Sequence, residues 1–139
     1  MNTRMLFFIF CGFFSCQNPQ QNPQLEADQT LQKKVEEEIR SQSKVNFVEL
    51  TDFEWDEMIT LGPYSQVEKV ADSLNLNLSN IKNNGISGSD SFTLVVFLQN
   101  KKSVRIIEPA KRFNRSAVII PKNESNFKIN EDGILSITN

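Results

Sequence analysis

Phe92-Thr93-Leu94-Val95-Val96-Phe97-Leu98, then Gln99-Asn100-Lys101-Lys102-Ser103, then Val104-Arg105-Ile106-Ile107 is the stretch that decides the fold. Its first run is almost continuously apolar and rich in β-branched residues, too short for a helix of ordinary length and without the polar alternation of a half-solvated strand. That pattern predicts a central strand buried on both faces. Asn100-Lys101-Lys102 reads as a turn, residues 104–107 as the returning hairpin partner, and Pro109 as its stop.

Outward from this hairpin, further short strands are expected. Residues 117–120 are apolar and end at Pro121; residues 127–129 and 134–137 flank Glu131-Asp132-Gly133, and Asp-Gly favours a hairpin because it tolerates positive φ. Upstream, residues 45–50 read as a strand, and residues 75–91, rich in Asn, Ser and Gly, as a long polar connection. Two helices are predicted. In residues 25–42, Leu31, Val35 and Ile39 form a thin stripe at four-residue spacing, with Glu36 and Arg40 placed to pair. So thin a stripe suggests loose docking or a rigid stalk over residues 25–43. Ser65-Gln66-Val67-Glu68 is a capping box opening a second helix, with Val67, Val70, Ala71 and Leu74 on one face. The sum is an α+β fold: an antiparallel sheet with one or two helices packed on one face.

Residues 51–64 support two readings. Thr51 and Glu54 make a capping box, with Gly62-Pro63 as a stop, which argues helix; the alternation of Phe53, Trp55, Ile59 and Leu61 argues strand. On a strand, Asp52, Glu54 and Asp56 would share one face beside Trp55, an arrangement suited to a cation or a sugar. Asp52, Glu54, Trp55, Asp56 and Tyr64 are therefore the candidate binding face, set against the plainer reading of a solvated acidic edge with Trp55 in the core. An EF-hand is excluded, since Glu57 stands where its glycine is needed and Pro63 where its closing glutamate belongs. Two acids at a set separation suffice for glycoside hydrolysis, so a carboxylate-based hydrolase is kept as an alternative.

The chain has no histidine, which removes Ser-His-Asp and Cys-His catalysis and the usual zinc sites. Gly85-Ile86-Ser87-Gly88 lacks the features of a phosphate or dinucleotide loop. No catalytic residue, metal or cofactor is expected. Charge is uneven: residues 26–57 carry ten carboxylates against four basic residues, and residues 101–128 carry eight basic residues against two carboxylates. The basic run Lys101, Lys102, Arg105, Lys111, Arg112 and Arg115 reads first as a charged hairpin edge that deters strand-to-strand association. As a binding surface it would take anionic lipid or envelope polysaccharide, with no nucleic acid expected, because Arg4, the apolar residues 5–14 and Cys16 read as an export signal.

At the N-terminus, Arg4 precedes an apolar run over residues 5–14. A run of that size suits the h-region of an export signal, and at about 1.5 Å per residue it spans only about half of a bilayer core. Phe13-Phe14-Ser15-Cys16 resembles the lipobox of bacterial lipoproteins, with Ser15 as the small residue before Cys16, although Phe13 and Phe14 depart from the usual Leu and Ala/Ser. The resemblance implies cleavage between Ser15 and Cys16, a diacylglycerol on the thiol, and a further acyl chain such as palmitate on the new amine. Two or three acyl chains give stable membrane retention. Cys11 would leave with the signal, so the mature chain would keep no free thiol. Residues 17–24 repeat Gln-Asn-Pro-Gln, an extended tether of at most about 25 Å. Gln17 is not the Asp associated with inner-membrane retention, which leaves the outer membrane open as a destination.

A second resemblance covers roughly residues 52–107. Phe53-x-Trp55-Asp56-x-Met58, then Gly62-Pro63-Tyr64 before a helix, and the later strand followed by Asn-Lys-Lys are similar to a group of small, functionally uncharacterised exported bacterial proteins. This implies that Trp55 and Tyr64 are packing positions, that Pro63 fixes a turn and that Asp56 hydrogen-bonds nearby backbone. The expected organisation is a signal over residues 1–15, a lipidated tether over 16–24 and one domain over 25–139. The expected role is a non-enzymatic cell-envelope lipoprotein, anchored through Cys16 at the outer membrane, facing the periplasm or the cell surface, and binding a protein partner. A small-ligand or cation carrier is the other alternative.

Overall fold

In the computed structural model, which describes residues 23–138, the hairpin sits where the apolar run requires it. β1 (Lys44–Asn46), β2 (Glu57–Leu61), β3 (Leu94–Gln99), β4 (Lys102–Ile107), β5 (Ile120–Pro121), β6 (Asn126–Ile129) and β7 (Leu135–Ile137) form two antiparallel sheets, ordered β4-β3-β2-β5 and β1-β6-β7. Three helices complete the α+β fold: α1 (Gln29–Gln42), α2 (Phe47–Leu50) and α3 (Val67–Leu74).

Leu94 to Leu98 are each 0 % exposed, and their alternation explains why. Val95 and Phe97 join Met58 and Ile107 in one core with α1, α2 and the small sheet. Leu94, Val96 and Leu98 join Ile59, Leu61 and Ile106 in a second core on the opposite face, under α3. A strand with a core on each side has no solvated face, so its sequence shows no polar alternation. The helices are accordingly divided between the two faces of the main sheet.

The β3–β4 turn holds Asn100 at φ 50° and Lys101 at φ 63°, the two left-handed positions of a tight two-residue hairpin. Asn adopts that conformation readily, whereas Lys adopts it at a cost. Lys101→Gly should therefore raise stability by about 0.5–1 kcal/mol, readable as a higher urea midpoint with unchanged slope.

α1 begins four residues later than its stripe suggested and is no stalk. Leu31, Val35 and Ile39 are 5, 0 and 4 % exposed and belong to the first core. Three residues suffice because each is wholly covered. Asp28 caps the helix, its Oδ1 accepting from the Leu31 N–H at 2.9 Å, while its Oδ2 meets Arg105 Nη1 at 2.8 Å. The Leu31 N–H, then the Arg105 guanidinium, hold the Asp28 carboxyl below its usual range against the opposing effect of partial burial. The expected Glu36–Arg40 pair gives way to a bond from Gln32 Nε2 to Glu36 Oε1 at 3.2 Å. Ahead of the helix, Ala27 bridges Ile106 in parallel, so residues 25–28 cover the outer edge of β4.

Four other expectations are corrected. The strand over residues 45–50 stops at Asn46, whose Oδ1 accepts from the Val48 N–H at 3.1 Å and starts α2, turning Phe47 into the core. Residues 75–91 are not a loose connection: Leu76, Leu78, Ile81 and Ile86 are buried in the second core, Ile81 and Ile86 within short 3-10 turns. Asn80 and Ser103 bond to each other within this layer, and Asn80 Nδ2 donates to the Ser103 carbonyl at 3.0 Å. The strand near residue 120 is only Ile120–Pro121, because Ala117 adopts φ 55°. The Ser65–Glu68 capping box also fails to form. Ser65 Oγ donates instead to the Gly62 carbonyl at 2.7 Å, and α3 starts at Val67. The β6–β7 hairpin does form, with Gly133 at φ 75°.

Among the described residues no helix is long and apolar enough to cross a membrane. The expected export signal, Ser15, Cys16 and most of the expected tether lie outside them.

Candidate functional site

The acidic segment does not assemble as a row. Thr51 ends α2, its Oγ1 donating to the Phe47 carbonyl at 2.7 Å and accepting from Trp55 Nε1 at 2.8 Å. This folds the chain back, leaves residues 51–56 irregular and delays β2 until Glu57, so Asp52, Glu54 and Asp56 share no strand face. Trp55 is 3 % exposed, set edge-on against Phe97 at 5.1 Å with Lys122 Nζ 4.9 Å from its ring centroid. It is a core residue. Asp56 Oδ2 accepts from the Asn100 N–H at 2.9 Å and so clasps the β3–β4 turn, the backbone role its motif implied. Asp52 and Glu54 are solvent-exposed, and no three His, Cys, Asp or Glu residues converge on a metal-sized site among the described residues.

Tyr64 stands apart from the other four candidates. The resemblance implied packing, yet the side chain is 61 % exposed. Its backbone is left-handed, φ 62°, and its N–H donates to the carbonyls of Ile86 at 3.0 Å and Ser89 at 3.2 Å. Those bonds hold a conformation unfavourable to a non-glycine residue.

Beside Tyr64 lies a cleft of about 330 Å³. Buried Thr60 and Thr93 contribute to its lining, together with Tyr64, Arg112, Arg115 and Ser116. Two chain segments some fifty residues apart are joined here by three bonds. The Ala117 N–H donates to the Thr60 carbonyl at 2.8 Å, the Gly62 N–H to Ser116 Oγ at 3.0 Å, and Thr60 Oγ1 to the Arg115 carbonyl. Phe113 anchors the arginine segment from within, its ring 5.0 Å from Phe127 and 6.3 Å from Phe47. Backbone bonds between Leu135 and residues 112 and 114 add a short parallel bridge. The two arginines therefore flank a docked aromatic residue.

The basic run thus divides by role. Lys101, Lys102 and Arg105 belong to the hairpin and its turn, and Arg105 is spent on Asp28 and on the Phe53 ring, 4.5 Å from its centroid. Lys111, Arg112 and Arg115 lie beyond the hairpin, and among the described residues neither Arg112 nor Arg115 has a carboxylate within ion-pairing distance. No carboxylate among the described residues lines their cleft. Two other surface hollows mix their charges: one sets Glu36 beside Arg40 and Lys111, the other Glu68 and Asp72 beside Lys82. The sequence alone marked Tyr64 and the arginines separately, and it gave no sign of Thr60, Thr93 or Ser116. An aromatic residue inside a basic run was the one available hint.

Compared with known proteins, the chain matches no family model, and no curated protein or solved structure shows significant similarity to it.

Proposed function

We propose that this chain is a lipid-anchored protein of the bacterial cell envelope, held by acyl chains on Cys16 at the outer membrane, whose single domain binds a partner without transforming it. The anchor rests on the Arg4 start, the apolar run and the lipobox-like Phe13-Phe14-Ser15-Cys16. The observation that carries the binding role is the composition of the cleft beside Tyr64. It combines an exposed aromatic ring, two guanidinium groups and buried hydroxyls, and among the described residues no carboxylate pairs with those guanidinium groups and no carboxylate, thiol or imidazole lines the cleft to serve as base or nucleophile. An accessory subunit or an immunity-type protein would fit this chemistry.

Cys16→Ser should abolish acyl labelling and move the protein from the detergent phase to the aqueous phase; unchanged partitioning would overturn the anchor. Pull-down from solubilised envelope should recover one partner reproducibly, and recovery of background alone would count against the binding role. The carboxylate-hydrolase alternative makes a separate demand. One of Asp52→Asn, Glu54→Gln, Asp56→Asn or Glu57→Gln would have to abolish a glycan-cleaving activity without lowering thermal stability.

A further inference from the structure

We propose that the cleft between residues 62–64 and 112–116 is a binding site for an acidic saccharide, a sugar ring bearing a carboxylate or a phosphate. The inference deepens the proposed function by naming what the domain holds. An envelope glycan as the source rests on the anchor, whereas the binding chemistry does not.

Three features of the cleft specify the ligand. The first is charge. Arg112 and Arg115 line one small cavity without a counter-ion among the described residues. Guanidinium groups present planar, paired donors that match the two oxygens of a carboxylate or the edge of a phosphate. Phe113, docked between them in sequence, restrains the segment before the ligand arrives, so less ordering is required on binding.

The second feature is the exposed ring of Tyr64. An aromatic face with a polar tip suits a ligand that is apolar on one face and hydroxylated around its edge, as a pyranose is. The hydroxyls of Thr93 and Ser116 supply further polar contacts. Ser116 Oγ accepts from the Gly62 N–H, which leaves its own O–H to donate. The third feature is size and rigidity. A volume of about 330 Å³ is at the small end of ligand pockets and suits one ring. Tyr64 on one segment and Ala117 directly after the other both sit at positive φ, 62° and 55°. Non-glycine residues persist in that region only where surrounding bonds over-determine them, as those from Tyr64 to residues 86 and 89 and from Ala117 to Thr60 do here.

The test is isothermal titration of the full chain in detergent micelles with four probes: glucuronate, glucose 6-phosphate, neutral glucose and inorganic phosphate. At least one charged sugar should bind more than tenfold tighter than glucose, and the preferred one separates a carboxylate from a phosphate source. Arg112→Gln and Arg115→Gln should each weaken that binding tenfold or more. Because both side chains are exposed, melting temperatures should stay near wild type. Tyr64→Asn, which tolerates the same φ, should weaken the charged sugar while leaving inorganic phosphate unaffected.

Equal binding of glucose and both charged sugars, or undiminished binding in Arg112→Gln and Arg115→Gln, would overturn the inference. So would binding to phosphatidylglycerol vesicles with none to either charged sugar. If the saccharides fail while Cys16→Ser still shifts phase and the partner is still recovered, the inference falls and the proposed function stands.

Discussion

Phe97→Ala is expected to lower the unfolding free energy by about 3–5 kcal/mol. Phe97 is 0 % exposed on the central strand, and three rings meet it edge-on: Phe47 at 5.5 Å, Phe53 at 5.3 Å and Trp55 at 5.1 Å. Removing it forfeits burial of the ring and opens a void where α2, the 51–56 segment and β3 converge. Neighbours cannot collapse into that space easily, since Phe47 also packs against Phe127 at 5.9 Å and Trp55 is tied to Thr51. A domain of this size is stable by only about 5–15 kcal/mol, so the variant should lose a large share of its stability. Urea denaturation monitored by Trp55 fluorescence measures the loss. Phe97→Leu should cost clearly less, and a loss below about 1 kcal/mol in the alanine variant would mean that this core is not packed as described.

Asp28→Ala should cost about 2 kcal/mol, combining about 1 kcal/mol for a lost helix cap with up to about 1 kcal/mol for the ion pair. The pair term is modest because Arg105 is 41 % and Asp28 19 % exposed. Asp28→Asn keeps a capping oxygen and should lose only the charge-dependent part. The sign of the pH dependence follows from the depressed Asp28 pKa. Its stabilisation is complete above the unfolded carboxylate value and is lost as pH falls through the lower folded value. The gap between wild type and Asp28→Asn should be widest at neutral pH and close progressively below the ordinary aspartate value of 3.8. Glu108 acts in the opposite sense: burial raises its pKa, so its contribution worsens as pH rises through the glutamate range. Both proteins carry Glu108, so taking the difference between them removes it. A gap that does not change with pH would leave the Asp28–Arg105 pair without energetic weight.

Legibility followed the range over which each feature is encoded. The β3–β4 hairpin could be read directly because burial on both faces leaves an uninterrupted apolar run, and the α1 stripe because its three residues keep helical spacing. Residues 75–91 misled because Leu76, Leu78, Ile81 and Ile86 are separated by Asn, Ser and Gly and held by single turns, which impose no period. Residues 45–50 misled because one bond, from the Val48 N–H to the Asn46 side chain, converts an apolar run from strand to helix. Trp55 fits both a core position and a binding face in the sequence, and the hydrogen bond that its Nε1 donates to Thr51 decides for the core. The cleft was legible only in fragments. Tyr64 and the two arginines become neighbours through long-range backbone bonds to β2, and no local pattern records such a bond.

The edge contact made by residues 25–28 has a mechanical meaning. Tension drawn from the N-terminal side enters the domain at this segment, which is fastened by the Leu25 N–H to the Asn80 carbonyl at 2.7 Å and by the Asp28 N–H to the Ile106 carbonyl at 2.9 Å. One fastening lies in the α3-side layer and the other on the main sheet, so a pull is shared between two layers before α1 feels it. A pull applied at residue 25 therefore loads these two bonds first, and neither of them joins the two segments that frame the cleft beside Tyr64.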